Sequence, residues 1–348
     1  MQAKISVLGH FGEGENLLNG QTVKTKIITE ELQRRFGNEN VLKIDTHGGW
    51  KTLLKAPFQV FSALKNSKNV LILPAQNGLR VYAPLLFLLR KLFKGRKLHY
   101  VVIGGWLPKF LPERKLLAKS LKHFDGIYAE TNTMKAVLSE QGFSNVYVMP
   151  NCKKLNILSE SDLIYPEGLP LRLCTFSRVM KEKGIETAAS VIKKTNEKLG
   201  YTAFSLDIYG QIDAEQTQWF EKLKNTFPQY IRYLGCVDSD KSVEVLKNYF
   251  ALLFPTRFYT EGIPGTIIDA YSAGIPVISA KWESYSDVVD DGSTGIGYEF
   301  GNEKSFEKIL LDAAKNPQLV LDMKRNCINK AKNYIPETAT RIMVENFE

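Results

Sequence analysis

The chain has 348 residues, 44% of them hydrophobic and 24% charged, and a net charge of +9, enough apolar material for two cores of ordinary size. Its four cysteines (Cys152, Cys174, Cys236, Cys327) show no CxxC or Cys/His spacing, so neither a disulfide framework nor a metal site is indicated. The longest uncharged apolar run, VYAPLLFLL at 81–89, falls far short of the roughly 20 residues needed to span a bilayer.

In chain order, MQAKISVLGHF reads as a strand and not a signal peptide, so the protein is expected in the cytoplasm with free thiols. His10 ends that strand and is the best placed of the four histidines; neither it nor His47, His99 or His123 belongs to a recognisable triad. The following loop, GHFGEGENLLNGQTVKTK, fits neither a dinucleotide fingerprint nor a P-loop, and opens a helix near Thr22. Asn19, Gly20 and Gln21 stand at its start, with Lys24 and Lys26 expected on a solvated face.

Strand-like runs NVLILPAQ, KLHYVVIGGW, GIYAE and NVYVMPN then alternate with amphipathic helices, as a doubly wound parallel sheet requires. Their apolar residues are mostly continuous, which suits strands covered on both faces. Gly104 and Gly105 let a substrate approach the backbone, and Trp106 suits an acceptor path, an interfacial anchor or plain packing.

Residues 1–150 carry 22 Lys/Arg against 10 Asp/Glu, a net of +12, while the remainder nets −3. Basic and apolar residues interleave in WKTLLKAPFQVFSALKNSK, PLLFLLRKLFKGRK and WLPKFLPERKLLAKSLKHF, which favours an anionic membrane surface over nucleic acid. Trp106, Phe110 and Leu111 are the side chains expected to insert. The alternative is ordinary sheet-covering helices with Lys on their outer faces.

Residues 154–170 are rich in turn signals and read as a linker between domains at 1–153 and 171–332. In the second domain LRLCTFSRVMKEKGIETAASVI reads as strand, polar loop and helix. It places Arg178 and Lys183 at a strand end beside a helix N-terminus, a setting that suits a diphosphate. The strands FSLDIYG, IRYLGCV, FALLFPT and IPVISA follow. Asp238-Ser239-Asp240 spells D-x-D, but it opens the helix KSVEVLKNYF, so Ser239 or Asp240 is expected to cap that helix and no metal site is assigned.

The segment FPTRFYTEGIPGTIIDAYSAGIPVISA carries most of the functional signal. Glu261 and Asp269, eight apart, flank a Gly/Pro loop and a helix start, where the Gly265 and Thr266 amides face an anion. Eight residues is a little over two helical turns, so both acids can face one groove. A capping acid followed by a core helix is the plainer account.

This segment resembles the E-x7-E signature of retaining glycosyltransferases of family 4, with Asp in place of the second Glu. The resemblance implies the GT-B fold: two Rossmann-like α/β domains with parallel sheets and an active-site cleft between them. It implies that Glu261 holds the transferred sugar, Asp269 the nucleotide ribose, and Arg178 and Lys183 the donor pyrophosphate. Gly262, Ile263, Pro264, Gly265 and Thr266 would form the rest of the donor loop, with Gly210 beside it and Val237 against the base. Asn19-Gly20, with Gln21 next, takes the place of the family's Gly pair near the donor phosphate, and only one of the two positions is Gly. IGGWLP holds no His where many members have one. NYIPETATRIMVENFE, at 333–348, resembles the terminal helix that crosses back to the first domain.

The function implied is transfer of a sugar, with retention and without metal or other cofactor, in surface polysaccharide synthesis (capsule or lipopolysaccharide). A UDP-sugar is the expected donor ahead of a GDP-sugar, and a saccharide or polyprenyl-diphosphate-linked saccharide the acceptor. The enzyme is expected at the inner face of the cell membrane. A nucleotide-sugar epimerase or a phosphorylase on the same scaffold is one alternative, and a basic RNA-binding protein another.

Overall fold

The computed structural model describes residues 4–14 and 20–347, and they form two compact units. The first comprises residues up to Lys154 together with Tyr334 onward, the second Leu155–Asn333.

The sheet of the first unit has six parallel strands: β1 (Ile5–Gly9), β2 (Val41–Asp45), β3 (Asn69–Leu73), β4 (Lys97–Val101), β5 (Gly126–Ala129) and β6 (Val146–Val148). Their order is β2-β1-β3-β4-β5-β6. Successive side chains point to opposite faces. In β3, Val70 and Ile72 therefore join one core with Val60, Leu64, Leu79 and Leu86, while Leu71 and Leu73 join the other with Ile28 and Met343. Burial on both faces accounts for the continuous apolar runs. Helices Gly49–Asn66, Gln76–Leu89 and Lys115–Leu121 pack side by side over the first core. Helix Gly20–Phe36 and the C-terminal helix Arg341–Phe347 close the second, with Phe347 against His99 at 4.7 Å between rings.

The second unit repeats the plan with β7 (Leu171–Phe176), β8 (Phe204–Tyr209), β9 (Ile231–Gly235), β10 (Ala251–Phe254), β11 (Val277–Ala280) and β12 (Gly295–Tyr298), ordered β12-β11-β10-β7-β8-β9. Both sheets are parallel throughout, so each unit is an α/β sheet of the doubly wound kind. Residues 155–170, expected as a linker, group with this unit. Leu158 N donates to Ser272 O at 2.9 Å, and Glu160 pairs with Arg325 at 2.8 Å.

β2 and β12 are absent from the strands expected from sequence, and both are sheet edges. An edge strand is covered on fewer sides: Leu42 and Lys43 of β2 are exposed, and β12 is GIGY, with two glycines.

Candidate active site

In the second unit the strand order turns back between β7 and β10, and the loops leaving their C-terminal ends meet there, the usual ligand position in an open α/β sheet. Gly184 follows β7 in the left-handed region at φ 72°. A Cβ on it would stand 1.9 Å from the carbonyl oxygen of Pro255 in the β10 loop. Only glycine permits that approach. Arg257 N donating to Glu182 O at 2.8 Å ties the same two loops together.

This contact sets Lys183 against Glu261, whose side chains form an ion pair. Thr256 Oγ1 donates to the same carboxylate oxygen at 3.2 Å. The Lys183 ammonium also lies 5.5 and 5.2 Å from the ring centroids of Phe254 and Phe258. Arg178 is over half exposed and lies 3.5 Å from Asp213, a long contact that leaves it able to turn to a ligand. Gly210 closes the β8 end at φ 132°, where a Cβ would meet Ser177 O at 1.9 Å.

Helix Gly265–Ser272 starts at the far side of the Glu261 loop, after buried Gly262, Ile263 and Pro264. It has no side-chain cap and no acid in its first turn, and Thr266 Oγ1 is buried without a partner. The Gly265 and Thr266 amides are among the first four of a helix, which lack intrahelical acceptors and carry the positive end of the dipole. Gly274 ends the segment at φ 64°, donating to Tyr271 O at 3.0 Å, and leads into β11 as expected.

The two acids meet different side chains, Glu261 those of Lys183 and Thr256 and Asp269 that of Ser242. Asp269 is 3% exposed and accepts from Ser242 Oγ at 3.1 Å, on the side of helix Ser242–Leu246. Val237 is half-buried in the loop after β9, between exposed Cys236 and exposed Asp238. Neither Ser239 nor Asp240 caps the helix that follows. Lys241 occupies the cap position, and Ser242 Oγ reaches back to Ser239 O at 3.1 Å, so the expected capping role is corrected. Asp238 and Asp240 are exposed, and among the described residues no group of three acids, histidines or cysteines is placed to hold a metal. Sequence reasoning missed Thr256, Phe254, Phe258 and Ser242, although FPTRF adjoins the motif it used.

In the first unit Asn19 lies outside the described residues, and Gly20 opens the helix. Gln21 Nε2 donates to Leu73 O at 3.2 Å. Lys24 is not solvated but 3% exposed: it pairs with Glu130 at 2.5 Å and donates to Val102 O at 2.8 Å. Glu130 in turn accepts from Gly104 N at 3.2 Å, so this buried pair fixes the turn that carries Gly104, Gly105 and Trp106. Trp106 Nε1 donates to Ile103 O at 2.7 Å and its ring meets Phe110 at 5.0 Å. Phe110 and Leu111 are buried, 8% and 1% exposed, and do not form an insertion surface. His10 is linked to Thr22 Oγ1 at 2.7 Å and to His47 at 2.8 Å, above the C-terminal end of β1. Burial pushes the nearby Asp45 carboxyl up, but the amides of Glu13, His47, Phe11 and Gly12 outweigh that and hold it below its ordinary value.

Residues 170–316 match the family model described as Glycosyl transferases group 1. Anabaena Alr3699/HepE, solved with UDP and glucose, superposes with a TM-score of 0.73 at 15% identity, over 99% of this chain and 98% of that one. The lipopolysaccharide outer core galactosyltransferase WaaB gives 0.73 at 15% identity over the same shares. S. aureus TarM gives 0.66 at 15%, over 85% of this chain and 59% of its own. No protein of curated function matches the sequence. Two parallel six-stranded sheets, matched over the whole chain, give this protein the GT-B fold of these structures. The match to Glycosyl transferases group 1 lies within the second unit.

Proposed function

We propose that the protein transfers a sugar from a UDP-sugar to a saccharide or polyprenyl-diphosphate-linked saccharide, with retention, in the synthesis of a surface polysaccharide. The observation that carries the donor site is the Lys183–Glu261 pair beside the uncapped helix at Gly265. Lys183, Arg178 and the Gly265 and Thr266 amides neutralise charge that builds on the departing diphosphate. Glu261 holds hydroxyls of the transferred sugar, and Asp269, through the Ser242 side, the ribose. The acceptor oxygen bonds to the anomeric carbon as the sugar–phosphate bond breaks, and its proton passes to the departing phosphate oxygen on the same face. HepE was also solved with UDP-glucose, and TarM with UDP and alpha-GlcNAc-glycerol, which supports UDP over GDP here. A thermal-shift panel of UDP, GDP and ADP tests the base. UDP is expected to raise the melting temperature most, and a response to GDP alone overturns the UDP assignment. An epimerase would convert donor alone, so product analysis without acceptor separates the two chemistries.

The two cations and the helix N-terminus take the electrostatic role that a metal bound by D-x-D would have, so turnover is expected to continue in EDTA. Activity lost on chelation, restored by Mn²⁺ and abolished by Asp238→Ala would overturn this.

We place the enzyme in the cytoplasm, peripheral on the inner face of the membrane. No helix among the described residues is long and apolar enough to cross a bilayer. The support is an exposed mixed face on the helices over the first core. Leu54, Phe58, Phe61, Leu88 and Leu116 are 68%, 80%, 47%, 56% and 67% exposed, near exposed Lys55, Lys65, Lys115 and Lys119. Each cation at an anionic surface contributes about 1 kcal/mol, so four suffice for reversible binding. Co-sedimentation with phosphatidylglycerol vesicles should fall with salt yet leave a residue that Phe58→Ser removes. Indifference to these vesicles at low salt refutes the placement.

A further inference from the structure

We propose that a cavity of about 710 Å³ in the first unit binds one uncharged saccharide unit, read chiefly by the side-chain amides of Gln76 and Asn77. Its size falls within the roughly 300–1,000 Å³ of small-molecule sites. It opens beyond the C-terminal ends of β1, β2 and β3, where the strand order of this sheet turns back.

The lining decides the ligand class. Among the described residues no Lys, Arg, Asp or Glu lines the cavity, in a half of the chain with 22 Lys/Arg. Anion sites recruit charge-assisted donors, Arg above all, and none lines the cavity among the described residues. What lines it instead includes three amide side chains (Gln21, Gln76, Asn77), His10, Tyr82 and Trp106.

The hydrogen-bond inventory sharpens this. Gln21 spends an Nε2 hydrogen on Leu73 O, which leaves its Oε1 as an open acceptor. Tyr82 OH donates to Gln59 Oε1 at 2.6 Å. Both ring nitrogens of His10 are engaged, by Thr22 and His47, so it offers ring surface rather than a hydrogen bond. The Trp106 indole is fixed by Ile103 O and by Phe110, and forms a rigid aromatic wall. Gln76 and Asn77, at the start of helix Gln76–Leu89, are exposed, and neither side chain is hydrogen-bonded within the described protein. Two open amides and an open carbonyl oxygen present donors and acceptors together. An ionised oxygen only accepts, and would leave the acceptors facing it unpaired. A sugar hydroxyl donates and accepts, and its ring carbons can lie against an aromatic wall. Gln76 and Asn77 are thus specificity-determining residues. The transferase reading enters at one point only: it makes this saccharide the acceptor.

The test is saturation-transfer NMR on the intact protein with methyl glucoside, methyl galactoside and methyl N-acetylglucosaminide. Methyl glucuronoside and inorganic phosphate serve as competitors, and a UDP melting shift is recorded on the same preparation. At least one neutral glycoside should receive saturation, and neither anion should displace it. The Gln76→Ala/Asn77→Ala variant, altered only at exposed positions, should bind about thirtyfold more weakly, two ordinary hydrogen bonds being lost. Asn77→Asp, which keeps the shape and removes the donors, should weaken binding too. The proposal is overturned if no neutral glycoside binds, if glucuronoside or phosphate displaces one, or if the variants bind as wild type does. A UDP shift without glycoside binding sinks the cavity assignment and leaves the donor site standing. Glycoside binding without a UDP shift upholds the cavity and sinks the transferase reading of the donor site.

Discussion

Glu261→Ala is expected to lower transfer by at least about a hundredfold, the scale found when a single preorganised transition-state contact is removed. In the function proposed above, this carboxylate faces the sugar as positive charge develops at its anomeric carbon. It also holds Lys183 in an ion pair, so its loss has a second effect. With no carboxylate to compete, the Lys183 ammonium is released to the diphosphate, and UDP affinity should hold or rise while transfer collapses. Steady-state rates beside calorimetry on one variant separate the two effects. Transfer within about twofold of wild type would refute the sugar contact, and a parallel loss of UDP binding would assign Glu261 to the nucleotide instead.

Lys183→Ala should weaken UDP binding by about 1.5–3 kcal/mol, roughly ten- to a hundredfold, the range for a hydrogen bond to a charged group. Arg178→Ala should fall at or below the lower end of that range. Lys183 is largely buried among Phe254, Phe258 and Glu261, whereas Arg178 is 54% exposed and must give up water to reach a ligand. Solvent screening discounts the arginine. Unchanged UDP affinity in both variants, by calorimetry, would remove the diphosphate site and most of the functional reading with it.

The central strands were legible because burial on both faces writes an uninterrupted apolar run into the sequence, as in NVLIL and FALLF. β2 and β12 were not, since an edge strand is free to carry Lys43 or two glycines. At the site, the loop-and-helix grammar around Gly184, Glu261 and Gly265 was visible, because tight turns and close approaches demand glycine at fixed places. Pairing was invisible. Nothing in the local sequence says that Lys24 meets Glu130, 106 residues away, or that Lys183 meets Glu261, and a lysine near a helix start reads as solvated by default. The same limit hid the burial of Phe110 and Leu111, which sit in a run as basic as it is apolar.

The chain's topology also orders its birth. Residues 155–333 form an unbroken segment and can close their core as soon as they leave the ribosome. The first unit cannot, because Ala339, Met343 and Phe347 belong to the same cluster as Ile5, Val7 and Leu71, and Asn69 and Lys97 bond to the carbonyls of Phe347 and Asn346. Domains usually complete in the order of synthesis. Here the part made first is the part finished last, and one apolar flank of its sheet waits for the final turn of helix to be translated.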